Sequence, residues 1–364
     1  MSRFLFGALS LLLLTGGPAL AEPEHGVASG RHVLEGPEVS IYNIAGEMHV
    51  VEGAGRSVVV EVSPGGRDGG RLTVEETTEK GHPALRVEYP EDHIVYHEYG
   101  FGPPDGMSSS SLDYEGRRIY VSGRGPGLEA HADIRVLVPR GKTVHLHLAV
   151  GRGYVQGVDG DLSFKGASSS VQVERVTGAL AVEIGSGNVQ VSRSQARVAA
   201  ETGSGDISIS EVDGSLTANA GSGNIDLKRV GAEKISLEAG SGSISGSDIR
   251  VSSMSAECGS GEIDLEGTSA GKLSLEAGSG SIHLGLTKNI DELAIEAGSG
   301  SVRLEAPENL SARFQIECPK RNLHIAFPFE SRRGDDDTTV GTIGGGRGTI
   351  HIEAGSGSVE LARM

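Results

Sequence analysis

The 364-residue chain contains no tryptophan, and only 4% of its residues are aromatic. A chain with so few large rings cannot fill a thick globular core, but it can fold by stacking thin layers of Val, Ile, Leu and Ala. Cationic residues are also scarce, since 32 Lys and Arg stand against 49 Asp and Glu and the formal net charge is -17. This balance argues against nucleic acid as a partner and favours cations or basic surfaces.

Long apolar runs are missing after the start of the chain, so no later segment is predicted to cross a bilayer. At the start, Arg3 precedes an apolar run from Phe4 to Leu14, and Ala19-Leu20-Ala21 has the small-x-small pattern of a signal-peptidase site. We therefore expect residues 1–21 to be a signal peptide. The mature chain would begin near Glu22 and be exported to the periplasm, the cell surface or the surrounding medium.

Cysteine is rare as well, with only Cys258 and Cys318 in the chain. Both occupy the same position relative to the repeat described next. In a stacked fold, three strand spacings of roughly 4.8 Å would separate them, whereas a disulfide needs a Cα separation below about 7 Å. We expect no disulfide and interpret both residues as small apolar fillers.

Glycine is abundant, with 56 residues, and much of it lies in an internal repeat. Gly-Ser-Gly triplets recur every 18 to 20 residues, and the last follows after 57 residues, a near-multiple of the same unit. They begin at Gly185, Gly203, Gly221, Gly240, Gly259, Gly278, Gly298 and Gly355. A fixed period of this length predicts a stacked repeat architecture.

Apolar and polar residues alternate on both sides of each triplet. Around Gly240, the residues Ile235, Leu237 and Ala239 precede the triplet and Ile244 follows it. A period of two predicts half-buried β-strand, so each coil supplies two short strands around one glycine corner. A third apolar residue is expected to close the cross-section at Val176, Val212, Val230, Ile249 and Ile290.

These patterns predict an all-β fold, a parallel β-solenoid in which each strand pairs with its equivalent one coil away. This single-stranded β-helix should be right-handed, as parallel crossovers usually are. Glycine is expected at the corner because the backbone needs a positive φ there and side chains would crowd between coils. Left-handed hexapeptide helices and calcium-binding β-rolls fit poorly, since their repeats place aliphatic residues or Gly-x-Asp at other spacings.

The repeats predict a domain boundary near the middle of the chain. Coils of 18–20 residues should occupy residues 149–364, with an irregular C-terminal cap segment at 305–349. Residues 22–148 are expected to form an N-terminal β region with a Gly/Ser/Pro-rich loop near 99–116. This region either starts the solenoid or packs against it.

Three segments of the chain resemble a bacterial family of adhesin-like β-strand-repeat proteins, catalogued as domain of unknown function 4097. They are Val39–Gly46, Val136–Gly141 and the closing stretch from Gly341 to Val359. The resemblance covers about Val39 to Leu361. It implies a surface or envelope role and carries over no catalytic residues.

A column of carboxylates is the strongest candidate for a binding surface. A glutamate stands two residues before most triplets, at Glu183, Glu201, Glu238, Glu257, Glu276, Glu296 and Glu353, with Asn219 interrupting the series and Glu317 in a degenerate copy. The alternation points these side chains outward, and stacking places neighbours roughly 5 Å apart. Such a column attracts counter-ions, so we consider calcium or a basic partner as its ligand. The alternative is a solvated acidic face that discourages aggregation.

Serine and histidine give weaker signals. The triplet serines are interpreted as turn residues, because a hydrolase elbow needs a strand-to-helix turn with a partnering His and acid. His145 and His147 share a strand face, and His93 and His97 lie in one acidic segment. Zinc needs three or four converging ligands, and neither pair has a clear third. We predict no metal site at these histidines.

The sequence favours a protein that is not an enzyme. We expect an exported β-solenoid acting as a structural or adhesive binding module of the bacterial cell envelope, with a basic protein or a glycan of the envelope or surface as partner. The alternatives are a polysaccharide-active enzyme on a β-helix and a divalent-cation-binding surface protein. Sugar cleavage needs paired carboxylates in a cleft, and the coils contain almost no aromatic residue before Phe314 to line one. No cofactor is predicted, and calcium is the one ion considered.

Overall fold

The fold is almost entirely β-strand. A computed structural model describes residues 26–27, 29–97, 109–114, 117–332 and 337–364. The predicted signal peptide and most of the predicted loop near 99–116 lie outside these residues. The described chain has two 3-10 turns, at Gly69–Arg71 and Lys320–Asn322, and no α-helix. Consequently no helix in this part of the chain is long and apolar enough to span a bilayer.

The strands are numbered in chain order. Those before the regular coils are β1 (Gly26–Val27), β2 (Gly30–Leu34), β3 (Glu38–Glu52), β4 (Val58–Gly65), β5 (Thr73–Glu79), β6 (His82–Glu88), β7 (His93–Val95), β8 (Ser109–Tyr114), β9 (Arg117–Ser122) and β10 (His131–Val138). Those of the coils are β11 (Lys142–Gln156), β12 (Gly160–Glu174), β13 (Thr177–Ser186), β14 (Val189–Ser204), β15 (Ile207–Asp213), β16 (Leu216–Ala220), β17 (Ile225–Ala239), β18 (Ile244–Ser247), β19 (Arg250–Cys258), β20 (Ile263–Ala277), β21 (Ile282–Leu286), β22 (Glu292–Ala297) and β23 (Val302–Ala306). The remaining strands are β24 (Ala312–Glu317), β25 (Leu323–Ile325), β26 (Phe329–Arg332), β27 (Thr338–Ile343), β28 (Gly348–Ala354) and β29 (Val359–Arg363).

The coils stack as parallel strands in register, as the repeat predicted. Leu162 pairs with Leu180, which pairs with Val198, and the same offset continues through β16, β17, β19, β20 and β22. The strands after the triplet stack in the same way, beginning with Val171 beside Val189. We call the strands before the triplet the first face and those after it the second face. Each coil adds one strand segment to each face, and some strands, such as β14, run from one face to the other.

The core is a thin column of aliphatic side chains enclosed by the coils. The residues predicted to close the cross-section are all buried, at 2% exposure or less: Val176, Val212, Val230, Ile249 and Ile290. The alternating apolar residues of both faces point inward to meet them, as Leu180 and Val189 do. Stacking such thin layers is how the fold buries enough apolar surface without tryptophan.

The glycine corner has a different cause from the one predicted. Among the triplet glycines only Gly187 has a positive φ, of 135°, so that part of the prediction is wrong. The crowding part is confirmed, because a Cβ on Gly223 would lie 1.8 Å from the carbonyl oxygen of Gly205, one coil earlier. The close approach of successive coils therefore requires glycine in the triplet.

Left-handed backbone occurs at a second corner, at the end of the second face. The residues there lie one coil apart and have φ between 50° and 56°: Arg175, Arg193, Glu211, Arg229 and Asp248. At the next coil the position is occupied by Gly267, with φ 62°. The sequence gives little sign of this corner, since most of these residues are charged and not glycine.

Polar side chains immediately after the triplets form a hydrogen-bonded ladder that sequence analysis did not identify. Asn188 Oδ1 accepts from the backbone N–H of Asp206 (3.0 Å), and Asp206 Oδ1 accepts from that of Asn224 (2.9 Å). Asn224 Oδ1 in turn accepts from the N–H of Ser243 (2.9 Å). Each side chain satisfies a backbone donor of the next coil at the corner.

The N-terminal region both starts the solenoid and caps it. Strand β3 lies parallel to β11 and in register with it, with Ile41 beside Leu146 and Val50 beside Val155. Strand β6 extends the first face beyond β3, and β10 extends the second. Antiparallel β5 and then β1 continue the first-face edge, and antiparallel β4 and then β2 continue the second-face edge. Parallel stacking thus begins before residue 149.

The C-terminal strands enter the stack out of chain order. Strand β28 lies between β22 and β24, and β29 lies between β23 and β25. Antiparallel β27 pairs with the free edge of β24, and antiparallel β26 pairs with β27. The 57-residue gap before the last triplet, about three repeat lengths, therefore corresponds to only one coil step in space.

This insertion also separates the two cysteines further than expected. In the stack, Cys258 is followed by Ala277, Ala297, Ala354 and then Cys318. Four strand steps lie between the cysteines instead of the expected three. Both cysteines are buried and free.

Candidate functional site

The glutamates that precede the triplets form one continuous column on the first face. We call this column the acidic ladder, which consists, in spatial order, of Glu183, Glu201, Asn219, Glu238, Glu257, Glu276, Glu296, Glu353 and Glu317. Eight strand steps of roughly 4.8 Å make it about 38 Å long. Its glutamates are exposed except for Glu317, which is partly buried.

Most carboxylates of the acidic ladder have no partner among the described residues. Glu183 forms an ion pair with Lys165, and Glu317 accepts a hydrogen bond from Gln315 (2.8 Å). Within the described chain, no hydrogen bond or ion pair engages Glu201, Glu238, Glu257, Glu276, Glu296 or Glu353. The nearby ammonium of Lys272 binds Glu292 instead (2.8 Å). The unpaired charges are therefore available to an external cation.

Small side chains beside the acidic ladder leave it accessible. The outward residues two positions earlier on the same strands are Ala181, Ala199, Thr217, Ser236, Ser255, Ser274 and Ala294. They form a smooth strip along the first face. A flat, extended partner could lie on this strip and reach the carboxylates along one edge.

The same column changes character towards the N-terminal end. Beyond Glu183 its positions are Lys165, His147, Tyr42 and Arg86. The rings of Tyr42 and His147 stack with centroids 4.2 Å apart at an angle of 11°, and the Arg86 guanidinium carbon lies 5.1 Å from the Tyr42 ring centre. Because Tyr42 lies between these two neighbours in the register, both of its faces are covered. We call this group the aromatic end.

Burial and hydrogen bonding shift the pKa values of the titratable groups at the aromatic end. Burial lowers the pKa of His147 to about 4, so the imidazole is neutral at physiological pH. Burial and the hydrogen bond to Glu79 raise the pKa of Tyr42 to about 12. The same hydrogen bond lowers the pKa of Glu79, which also lies 3.4 Å from Arg86. The titratable side chains at this end are either neutral or paired with an opposite charge, in contrast to those of the acidic ladder.

A cleft of about 520 Å³ opens where the aromatic end meets the acidic ladder. Its lining includes Tyr42, His147, Lys165, Glu183 and Glu201. A sugar site would need an exposed aromatic face as a stacking platform, but His147 and Arg86 already cover the Tyr42 ring. The cleft therefore offers polar and charged contacts and little aromatic surface.

The histidines considered from the sequence do not converge. His145 Nε2 lies 2.9 Å from Glu38, while His147 stacks on Tyr42. His93 stacks on Tyr120 with centroids 5.0 Å apart, and His97 Nε2 lies 3.2 Å from Glu129. Glu98, the acidic residue after His97, lies outside the described residues. Each histidine of the two pairs thus has its own partner.

The register brings together two groups that were not predicted from the sequence. Tyr42 and Arg86 join the column from strands that carry no triplet, so no spacing in the sequence could align them. On the second face, Asp264 and His283 lie side by side and Glu266 is nearby. The 19-residue spacing of Asp264 and His283 equals one coil and could have revealed this second group.

Comparison with known families agrees with the repeat. The family model described as Toastrack DUF4097 matches residues 160–227 and 196–362, which include the whole acidic ladder. The chain belongs to this family. A solved structure of a putative cell adhesion protein from Clostridium sporogenes is similar at 8% identity, covering 94% of this chain and 100% of its own, with a TM-score of 0.18. A similarity with this TM-score supports no conclusion about this chain. No curated protein matches the chain.

Proposed function

We propose that this Toastrack protein is an exported, non-enzymatic β-solenoid that serves as a rigid binding module in the bacterial cell envelope. Residues 1–21 would direct export and be removed, leaving a mature chain from residue 22 that contains the N-terminal β region and the coils. The acidic ladder would be its contact surface. The partner would be a cationic envelope or surface component, best matched by a basic protein segment.

The observation that carries this proposal is the row of unpaired, outward carboxylates in strict register. Like charges directly opposite one another on neighbouring strands are destabilising. A solenoid could remain soluble with charges of both signs interspersed, yet the acidic ladder keeps one sign over about 38 Å. Repeated Lys or Arg side chains on an extended partner would neutralise this row and could meet one carboxylate at each step.

Calcium and glycans fit this surface less well. Calcium in proteins is bound by about six to eight clustered oxygen ligands, whereas the acidic ladder presents one carboxylate per strand step. A glycan would lack a free aromatic face, since Tyr42 is covered on both sides. The same lack of an aromatic-lined cleft weighs against polysaccharide cleavage.

Calorimetric titration of the mature protein, from Glu22, with a lysine-rich peptide tests the ladder. We expect binding that weakens as salt rises, because exposed charges are screened. The quadruple variant Glu238→Gln, Glu257→Gln, Glu276→Gln, Glu296→Gln should lose most of the affinity. A charge-matched control replaces four exposed carboxylates elsewhere: Glu233→Gln, Glu262→Gln, Glu308→Gln and Glu330→Gln. Equal loss in both variants would mean that only net charge matters.

Two further measurements test export and the absence of enzymatic activity. The mass of the protein recovered from the envelope or medium should correspond to a chain starting at Glu22, and an uncleaved cytoplasmic product would contradict export. Incubation with envelope polysaccharides should release no sugar. Release of reducing ends would overturn the non-enzymatic assignment.

A further inference from the structure

A second group of charged side chains lies on the second face, away from the acidic ladder. Asp264 on β20 is directly beside His283 on β21, and Glu266 is two residues further along β20. One ligand atom from each of the three lies within 4.8 Å of the other two. Among the described residues, these side chains form the one group of three possible metal ligands that lie this close together.

Gly285 places no side chain beside this group. It pairs with Glu305 of the following coil, and on its other side it lies near Glu266, where the register between β20 and β21 shifts. The Cα of Glu266 would lie 3.7 Å from a Cβ at Gly285, but glycine has none. Two carboxylates thus flank a gap in the row of outward side chains, with His283 on the same side of the strand as Gly285.

The hydrogen bonds of His283 are incomplete. Its Nδ1 lies 2.9 Å from Asp264 Oδ1. Its Nε2 is shielded from solvent and has no hydrogen-bond partner within the described chain, and Glu305 Oε1 is 3.8 Å away. The Glu305 carboxylate is itself held by the Arg303 guanidinium at 2.8–2.9 Å. A buried ring nitrogen without a partner is costly, and the arrangement calls for a further ligand or a small rotation of the ring.

We propose that Asp264, Glu266 and His283 bind a divalent transition-metal ion, with zinc as the best-matched ion. Imidazole together with carboxylate oxygen suits Zn²⁺, which in open sites takes three protein ligands and a water. Nδ1 of His283 would bind the ion in place of its hydrogen bond to Asp264. Nε2–H would then donate to Glu305, giving the carboxylate–histidine–metal arrangement that orients ligating histidines.

This site is independent of the proposed ladder function. Its residues lie on the second face, and the acidic ladder lies on the first. Zinc bound between β20 and β21 would tie two successive coils together through side chains. It would therefore act as a local clamp on the stack, stabilising the folded chain by mass action.

Zinc titration by calorimetry of chelator-treated, tag-free mature protein tests the proposal. We expect one ion per chain, and His283→Ala should weaken binding at least about tenfold, as should Glu266→Gln. His351→Ala is the matched control, because this exposed imidazole pairs in register with Ala294 and Gln315 and has no carboxylate opposite. Zinc should also raise the melting temperature of the wild type and not that of His283→Ala.

The outcomes that would overturn the site are distinct. No binding at millimolar zinc, unchanged binding in His283→Ala, or displacement of zinc by equimolar calcium would each contradict it. Glu266→Gln changes an exposed residue and guards against misfolding of the histidine variant. The quadruple ladder variant should bind zinc normally, so failure of the zinc site and failure of the ladder can be told apart.

Discussion

The two ends of one outward column share a backbone register and differ in chemistry. At the aromatic end, Arg86, Tyr42, His147 and Lys165 stack on one another or pair with carboxylates. Along the acidic ladder, the same positions hold glutamates that mostly have no partner in the part of the chain that the structure describes. The comparison shows that the solenoid fixes only the spacing of this column. The function of the column depends on which side chains occupy its positions. Unpaired charge distinguishes the acidic ladder, the part that we propose binds a partner.

The corner beside the column also differs between the two regions. Ala167 occupies the register position that Gly185 and Gly203, the first glycines of their triplets, hold in the later coils.

Gly223→Ala, at the last glycine of a triplet, should show how tightly the ladder region is packed, because its Cβ would lie 1.8 Å from the Gly205 carbonyl oxygen. We expect a loss of about 3 kcal/mol or more in the free energy of unfolding. Denaturant melts of this variant beside the exposed Ser222→Ala would check it, and equal stability of the two would contradict the close-approach explanation.

The pH dependence of stability should separate the aromatic end from the ladder. The unfolded chain binds a proton at His147 with the ordinary pKa of 6.5, whereas the folded ring has a pKa of about 4. The stabilisation from keeping this ring neutral is therefore complete above pH 6.5 and is lost as the pH falls towards 4. We expect a loss of about 2 kcal/mol, discounted for the partial exposure of the ring.

His147→Gln isolates this contribution from the carboxylates that titrate in the same range. Its unfolding free energy, measured from pH 7 to pH 4, should fall less steeply than that of the wild type. Parallel curves would mean that the His147 ring is not the titrating group.

The quadruple glutamine variant of the acidic ladder should be more stable than the wild type. Removing like charges on neighbouring strands should raise the free energy of unfolding by about 1–2 kcal/mol at low ionic strength. The gain should shrink as salt screens the repulsion. Thermal melts at two salt concentrations would measure both effects, and a variant that is less stable at low salt would show the glutamates to be structural.

Asn224→Ala tests the hydrogen-bonded ladder beside the triplets. The substitution removes the acceptor for the Ser243 N–H, which lies 2.9 Å from Asn224 Oδ1. We expect a loss of about 1 kcal/mol in unfolding free energy. Asn219→Ala, at the interruption of the acidic ladder, serves as the comparison, since no side-chain hydrogen bond of Asn219 appears in the described chain. Equal effects of the two substitutions would argue against a specific role for this acceptor.

The sequence predicted the fold well where the repeat is strict. Alternation around the triplets identified the inward residues and the outward glutamates, because strand geometry has a period of two. It could not predict that Glu353 lies beside Glu296, since a spacing between triplets does not specify the order in which distant strands join the stack. The cause of the triplet glycines was also ambiguous from the sequence, because both a positive φ and a close approach of two backbone segments favour glycine. The left-handed corner at Arg193 and its equivalents carried no glycine to mark it.

Reversing the charge of the acidic ladder tests the central claim most directly. In the variant Glu238→Lys, Glu257→Lys, Glu276→Lys, Glu296→Lys, the proposed binding surface would have the opposite charge and the same spacing. We predict that this variant loses affinity for the lysine-rich peptide and gains affinity for a glutamate-rich peptide of equal length, as measured by calorimetry at low salt. Undiminished binding of the lysine-rich peptide would contradict the assignment of the acidic ladder as the contact surface.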